Sequence, residues 1–516
     1  MSAVALPAGV EGPRVATLRN GKSLGLDQIP TLGPAEFQLE VAGARGRQRR
    51  ISALFAAPLG DELRLFAVLA GDAAGVLDVT STVVSGDSFP SASREYPAVQ
   101  LFEREIAEEW GVMPEGHPWL KPVRFVRSRR AGHDAWNRPQ EQPLVPGVMD
   151  FYRIDGHEVH EVAVGPVHAG VIEPGHFRFQ CYGEQVLHLE ISLGYQHRGV
   201  ERALVRGPDK RTIHYMETVA GDTTIGHTLA YCQAVEQLAE CRVSARAHAL
   251  RAIGLELERL ANHVGGLGAL ANDVGYLPTA SFCGRLRGDF LNLTALLCGS
   301  RFGRGLVRPG GVDFDVDAER AALMESRLVA ALRDVEQAVE LLWETASVQA
   351  RFEGTGPVST EIADSLGLVG VAARASGLER DVRHDFPTGI YRLSQVPVSV
   401  AHSGDVFARA YVRWLEVQRA GTFVKEQLAA LPSGTPRSAP PPLRPHRLVV
   451  SLVEGWRGEI CHVALTDAEG RFSTYKIVDP SFHNWMGLAM ALRNQQISDF
   501  PLCNKSFDLS YCGYDL

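Results

Sequence analysis

A chain of 516 residues, 45% apolar and 22% charged, is long and apolar enough for two or three packed domains, which excludes both intrinsic disorder and a disulfide-stapled miniprotein. Acidic residues outnumber basic ones by 60 to 52, a formal charge of −8. A mildly acidic chain without a polybasic run argues against a nucleic-acid partner, whose phosphates need a basic face. The eight cysteines are scattered without a C-x-x-C pair, which speaks against a zinc ribbon or an iron–sulfur ligand set and for reduced cytosolic thiols.

In chain order, Met1 to Asn20 lack the basic start and apolar core of a signal peptide. No apolar run of ~18 residues follows, so the chain is expected not to span a membrane by itself. Short apolar runs at Phe37–Val41, Leu63–Leu69 and Val76–Val79 predict strands, with occasional helices, of a small α/β domain over residues 1–130. Residues 131–150, rich in Arg, Asn, Gln, Gly and Pro, read as a linker. Residues 151–516 open with a strand-rich stretch, Val159 to Leu193, and then turn helical. Leu250, Ile253, Leu257, Leu260, Val264 and Leu267 recur at intervals of three and four, as do Leu328, Leu332, Val335, Val339 and Leu342. Both stripes are expected in a helical core. Pro432 to Pro445 predicts an extended crossing, and Leu448–Val453 with Ile460–Leu465 a pair of strands. The fold class expected is α+β.

Several clusters set charged residues beside glycine, beginning with Gly165-Pro-Val-His-Ala-Gly-Val-Ile-Glu-Pro-Gly-His-Phe-Arg-Phe179. This segment resembles the large subunit of membrane-bound nickel–iron hydrogenases of the formate-hydrogenlyase type, and the related quinone-site subunit of respiratory complex I. Glu103-Arg-Glu105 with Gly116-His-Pro118 resembles the small peripheral-arm subunit of complex I, which some bacteria fuse in front. Leu193 to Glu201, Arg374 to Gly377 with Asp381 and Arg383, Gly404 to Phe407, Glu454 to Glu459 and Asp479 to Phe482 continue the match in the family's order.

The resemblance implies a site, and the departures alter it. The family's hydrogenases hold nickel and iron with four thiolates; here Ala220 and Thr223, then Ser481 and Asn484, stand in those places. A nickel–iron centre is therefore not expected, and Cys503 and Cys512 cannot restore the spacing. The complex I histidine and tyrosine that bracket quinone align with Ile172 and Gly221, although His214 and Tyr215 lie nearby. What the resemblance carries over is a polar ring: Glu173 as the proton-relaying glutamate, Arg457 as the arginine over the metals, Asp479 beside the late motif. Asp222 adds a carboxylate. Glu173, Asp222, Arg457 and Asp479 are the candidate proton-handling residues, their pKa values expected to move one another toward neutrality. His176, Tyr215 and His483 are candidates for lining a cavity or holding quinone.

Taken singly, His168, His176 and His227 read as hydrogen-bonded structural histidines, and Arg374 with Asp381 as a structural ion pair. The Gly165–Gly175 segment reads as a hairpin. With no G-x-G-x-x-G and no P-loop, NAD is not expected to bind. The function expected is a soluble subunit of an ion-translocating oxidoreductase complex, binding no cofactor of its own. Its partners would be a small subunit carrying an iron–sulfur cluster and antiporter-like membrane subunits, placing it peripherally on the cytoplasmic side of the inner membrane. The alternatives are a catalytically silent scaffold and a divergent quinone-reducing subunit.

Overall fold

The structure is a computed structural model that describes residues 13–139, 141–168 and 172–516. The start of the stretch read above for a signal peptide, residues 1–12, and three residues of the glycine-rich segment, 169–171, lie outside the described residues.

The chain begins with short strands β1 (Ala16–Leu18), β2 (Ser23–Gly25) and β3 (Thr31–Leu32), then helix α1 (Pro34–Ala42). The apolar run Phe37–Val41, expected as a strand, lies inside α1. Pro34 begins the helix, and the Glu36 side chain accepts from the Gly33 N–H at 3.1 Å, so start signals override a strand-like composition. Strands β4 (Arg50–Leu59), β5 (Glu62–Gly71) and β6 (Val76–Val83) form an antiparallel meander. β1 pairs antiparallel and β3 parallel with β6. β7 (Ser88–Pro90) pairs with β8 (Met113–Glu115) around helix α2 (Gln100–Trp110).

After the irregular stretch around residues 131–150, β9 (Val159–Val164), β10 (His176–Tyr182) and β11 (Gln185–Ser192) make a three-stranded antiparallel sheet. The glycine-rich segment connects β9 to its antiparallel neighbour β10, as a hairpin does. Short helices α3 (Val200–Leu204) and α4 (Thr212–Met216) lead to α5 (Thr224–Leu238), α6 (Ala245–Asp273) and α7 (Leu277–Cys298). A two-stranded ribbon, β12 (Val307–Arg308) and β13 (Gly311–Val312), precedes α8 (Ala318–Glu344). The short helices α9 (Ala346–Phe352), α10 (Thr360–Ser365), α11 (Gly370–Ala375) and α12 (Val382–Asp385) then lead to α13 (Val406–Ala429). Ser244 and Asp317 cap α6 and α8 by accepting from the backbone N–H groups of Ala247 and Arg320, the third residue of each helix. The leucine stripe from Leu250 to Leu267 is fully buried between α6 and its neighbours α7 and α13, as its spacing predicts.

Residues 432–445 form neither helix nor strand; they are held where Val312 N–H donates to Pro436 O at 2.9 Å and Ser438 N–H to Gly310 O at 3.0 Å. Strands β14 (Arg447–Glu454), β15 (Glu459–Thr466) and β16 (Phe472–Val478) follow, with β2 from the start of the chain completing a four-stranded sheet in the order β16-β15-β14-β2. Every residue of β15 is buried. The chain closes with α14 (Pro480–Ala491), α15 (Phe500–Phe507) and α16 (Tyr511–Asp515). The architecture is α+β, sheet-rich at the N-terminal end and mainly helical after it.

Buried ion pairs tie the parts together. Arg50 of β4 meets Glu459 of β15 at 2.6 Å, and Lys476 of β16 meets Glu105 of α2 at 2.6 Å. Arg374 and Asp381 form the expected ion pair at 3.8 Å, inside a larger group in which Arg374 also binds Glu416 at 2.6 Å and Glu454 at 2.8 Å. Among the described residues no helix is long and apolar enough to cross a membrane.

Candidate functional site

The loop before α5, the β14–β15 turn, the start of α14 and the C-terminal tail converge on one buried cluster. Arg457, in the β14–β15 turn, donates to both carboxylate oxygens of Asp222, at 2.6 and 2.7 Å, and to Thr223 Oγ1 at 3.2 Å. Its Nε donates to the Asp508 carbonyl at 2.5 Å, and its guanidinium lies 3.9 Å from the Trp456 ring centroid. The turn fits only because position 370 is glycine. Its φ is +63°, and a Cβ there would sit 2.0 Å from Arg457 O. Trp456 Nε1 and Asn262 Nδ2 both donate to the Asp222 carbonyl, at 3.0 and 2.9 Å, which fixes the loop.

Asp479 caps α14: Oδ1 accepts from Ser481 N–H at 2.8 Å. Oδ2 accepts from His227 Nε2 at 2.9 Å, and the other ring nitrogen of His227 lies 3.1 Å from His462 Nε2. His462 Nδ1 is 2.9 Å from the Tyr475 hydroxyl. All four side chains are buried. A carboxylate only accepts, so with a neutral imidazole at His227 the proton positions follow in sequence. His227 Nε2–H donates to Asp479, which leaves Nδ1 to accept from His462 Nε2–H. His462 Nδ1 then accepts from the Tyr475 O–H. The result is a chain of three hydrogen bonds running in one direction.

The electrostatics separate fixed charges from titratable ones. Burial works to raise the Asp222 carboxyl, but Arg457 outweighs it and holds the group below the ordinary carboxylate range, although 34% of the Asp222 side chain still meets solvent. Burial likewise works to raise Asp479, and the bond from His227 and the Arg457 charge overcome it. Both carboxylates are thus driven away from neutrality, opposite to the shift the sequence suggested, because each has acquired its own cation or donor. The group driven toward neutrality is Glu258 of α6. Burial, with the nearby Asp222 charge adding to it, pushes Glu258 up to about 8 even though it accepts from the Ile225 and Gly226 N–H groups at the start of α5, at 2.7 and 3.2 Å. Burial, and then His227, push His462 well below the usual histidine range, and burial pushes the Tyr475 hydroxyl well up. Both are therefore neutral.

The tail closes the cluster. Ser510 N–H donates to Ser481 Oγ at 2.8 Å. Glu173 accepts from Tyr511 N–H at 3.2 Å and Cys512 N–H at 3.3 Å. Gly513 packs directly on the Asp479 carboxylate.

Of the residues anticipated from sequence, the structure therefore brings together Asp222, Arg457 and Asp479, with Glu173 joined through the tail. His176 has both ring nitrogens engaged elsewhere, with Gly165 O and Arg178 Nε, each at 3.2 Å. Tyr215 lies half-buried on α4; among the described residues no hydrogen bond or ring contact joins it to the cluster. His483 is buried on α14 against Phe102, 5.6 Å between ring centroids, with no partner for either nitrogen among the described residues, and burial pushes it down to about 4. His168 bonds Gly175 O at 3.0 Å, a structural role as expected. His227 is hydrogen-bonded as expected, but its partners make it part of the cluster.

His462, Tyr475, Glu258 and the 508–513 tail were not anticipated. His462 and Tyr475 read as ordinary alternation within strands, and their distance from His227 in sequence hides the contact.

Of the four positions expected from the resemblance to stand where hydrogenases carry thiolates, Ala220 offers no ligand atom. Thr223 Oγ1 bonds Asp222 and Arg457, Ser481 Oγ accepts from Ser510, and Asn484 spans the Val369 backbone at 3.0 and 3.1 Å. The nearby thiol, Cys512, is pushed up to about 11 by burial and by Glu173, the reverse of a ligand thiolate.

A family model of the respiratory-chain NADH dehydrogenase 49 Kd subunit matches residues 273–444. Over 449 residues the chain is 30% identical to hydrogenase-4 component G of Escherichia coli, spanning 85% of this chain and 78% of that protein. Formate hydrogenlyase subunit 5 of Escherichia coli is 29% identical over 438 residues, 83% of this chain and 77% of the relative. NADH-quinone oxidoreductase subunit 4 of Thermus thermophilus is 29% identical over 378 residues, 68% of this chain and 92% of the relative. The chain belongs to the family that unites hydrogenase-4 component G, formate hydrogenlyase subunit 5 and the 49 Kd subunit of respiratory-chain NADH dehydrogenase.

Proposed function

We propose that this chain is the large subunit of a membrane-associated, ion-translocating oxidoreductase complex, and that its buried cluster handles protons without a nickel–iron centre. The observation that carries the reading is the one-directional chain from Tyr475 through His462 and His227 to Asp479, ending at a cluster whose charges are otherwise fixed. A proton drawn onto Asp479 comes from His227 Nε2, is replaced at His227 Nδ1 from His462, at His462 Nδ1 from Tyr475, and at the Tyr475 hydroxyl by a proton from outside the chain in the same step, so that Tyr475 stays neutral. Asp222 and Arg457 stay charged throughout and hold the field in which this occurs. Glu258, which titrates near neutrality beside Asp222, is the group that exchanges a proton with the cluster.

A nickel–iron centre does not fit this donor set. Soft metals need thiolates, and the four positions supply a methyl group, two hydroxyls and an amide, the last three committed to protein hydrogen bonds. The partners that suit this reading are an iron–sulfur small subunit and antiporter-like membrane subunits, which would attach the chain peripherally to the inner membrane on its cytoplasmic side.

The test is redox-driven proton movement by the purified complex in vesicles. His462→Phe, which interrupts the chain, and Asp479→Asn, which removes its acceptor charge, should each lower proton movement at least tenfold and change its pH profile. Unaltered movement in both variants would leave the subunit a scaffold. Purification without an iron–sulfur partner or membrane subunits would end the proposal.

A further inference from the structure

Apart from the buried cluster, the molecule contains a cavity of about 360 Å³ between α2, the segment 118–123, β11 and α14. That volume lies within the range of small-molecule sites, and at ~30 Å³ per water-sized group it holds roughly a dozen non-hydrogen atoms. Its floor is apolar, built by Leu101, Val123, Leu189 and Leu193, all buried. Its mouth carries Trp119 and Tyr152, 43% and 45% exposed, with ring centroids 6.0 Å apart. Two large aromatic rings left this exposed beside a cavity are better placed to cover a ligand than to stabilise the fold.

The charged side chains lining the cavity are Glu190 and Arg104, and only Glu190 has an ion-pair partner among the described residues. Glu190 on its wall is neutralised by an ion pair with Lys121, and its other oxygen accepts from Tyr152 N–H at 2.8 Å. His188 is held below the usual histidine range by burial, and His117 beside the mouth is pushed down to about 4 by burial and by Arg104. Arg104 is the remaining cation. Its Nε donates to Trp119 O at 2.9 Å, while its two terminal nitrogens have neither a hydrogen bond nor an ion pair among the described residues. A half-buried guanidinium with a free fork, beside an apolar chamber, matches one carboxylate.

We propose that this cavity binds an amphipathic monoanion, a carboxylate on an apolar body of roughly a dozen non-hydrogen atoms, with the head on Arg104 and the body on the leucine floor. A single unmatched cation favours one negative charge over two. The apolar floor favours a hydrocarbon over a polar metabolite.

Decanoate is the probe, added to the full-length chain below its micelle-forming concentration and followed by isothermal titration calorimetry. One site per chain is expected. Decanol, with the same body and no charge, should bind at least tenfold more weakly, and Arg104→Gln should weaken decanoate by at least tenfold. Ile191→Trp, which fills the chamber from a half-buried position, should remove decanoate binding, with retained helical circular dichroism showing that the variant folds. Equal affinity for decanol and decanoate, or unchanged decanoate binding in Arg104→Gln, would overturn the anion assignment. Absence of decanoate binding to the unaltered chain, or its survival in a folded Ile191→Trp, would overturn the site.

Discussion

Arg457 grips Asp222 through both carboxylate oxygens, at 2.6 and 2.7 Å, across 235 residues of sequence. The pair lies next to Thr223, whose Oγ1 donates to Asp222 and accepts from Arg457. Removing one partner strands the other in a largely buried place. Asp222→Ala is expected to cost about 2 kcal/mol in chemical denaturation, less than the ~3–5 kcal/mol of a fully buried pair because solvent still reaches Asp222. The double variant Asp222→Leu with Arg457→Met should recover most of that loss, whereas additive losses would show that the two side chains are not coupled.

In the proposed relay Tyr475 supplies the first proton; its hydroxyl is the partner of His462 Nδ1 at 2.9 Å. Tyr475→Phe keeps the ring packing and leaves that nitrogen buried without a donor, a loss of about 1–2 kcal/mol by denaturation. In the complex the same variant should lower proton movement and reduce its solvent deuterium isotope effect. An unchanged isotope effect would place the rate-limiting proton elsewhere.

Glu258 gives the protein a definite pH response. Its native pKa of about 8 stands above the ordinary 4.5. The folded state therefore keeps a proton that the unfolded state has already lost, and the native state loses stability as pH rises between those values, by at most about 1.4 kcal/mol per pH unit. Thermal unfolding of the full-length chain should show a falling Tm from pH 5 to pH 8. Glu258→Gln, which cannot ionise, should flatten that slope; an equal slope in both proteins would show that other groups set it.

Gly513 touches Asp479 so closely that a Cβ would lie 2.6 Å from the carboxylate carbon and 2.7 Å from Oδ2. Gly513→Ala must move either the tail or the carboxylate, at about 1–3 kcal/mol. The expected result is a weaker response of proton movement to Asp479→Asn in this background, measured as a double-mutant cycle. Full additivity would mean that the tail does not position Asp479.

On the proposed reading, elemental analysis of the purified complex should find iron in proportion to an iron–sulfur partner and no stoichiometric nickel. Nickel at one atom per complex would require a ligand set other than the four positions described.

Most of the helical architecture was legible. The stripe on α6 obeys the helical period, and a buried face of that length has one way to pack. The run Phe37–Val41 misled because Phe37 and Val41 are one helical turn apart as well as apolar, and the Pro34 and Glu36 start signals decide between the readings. Asp222, Arg457 and Asp479 were named from ordered family resemblance; no local pattern marks a pair formed across 235 residues. His462 and Tyr475 were hidden for a simple reason: on a strand with both faces covered, a polar residue aimed at a partner looks like any other position. The pKa directions were misjudged because proximity of charges was foreseen, but the private partner of each carboxylate was not.

Strand β2, at residues 23–25, forms the edge of a sheet whose other three strands lie between residues 447 and 478. During synthesis that edge must wait for more than four-fifths of the polypeptide before its partner exists, while Arg50 waits for Glu459 and Glu105 for Lys476. The two ends therefore mature together. Expressed apart from its first hundred residues, the remainder would offer β14 as an open hydrogen-bonding edge beside a Glu459 that has lost Arg50, an invitation to aggregate. Supplying the missing piece as a separate polypeptide should restore solubility, and in that respect the two halves behave like subunits that happen to share a backbone.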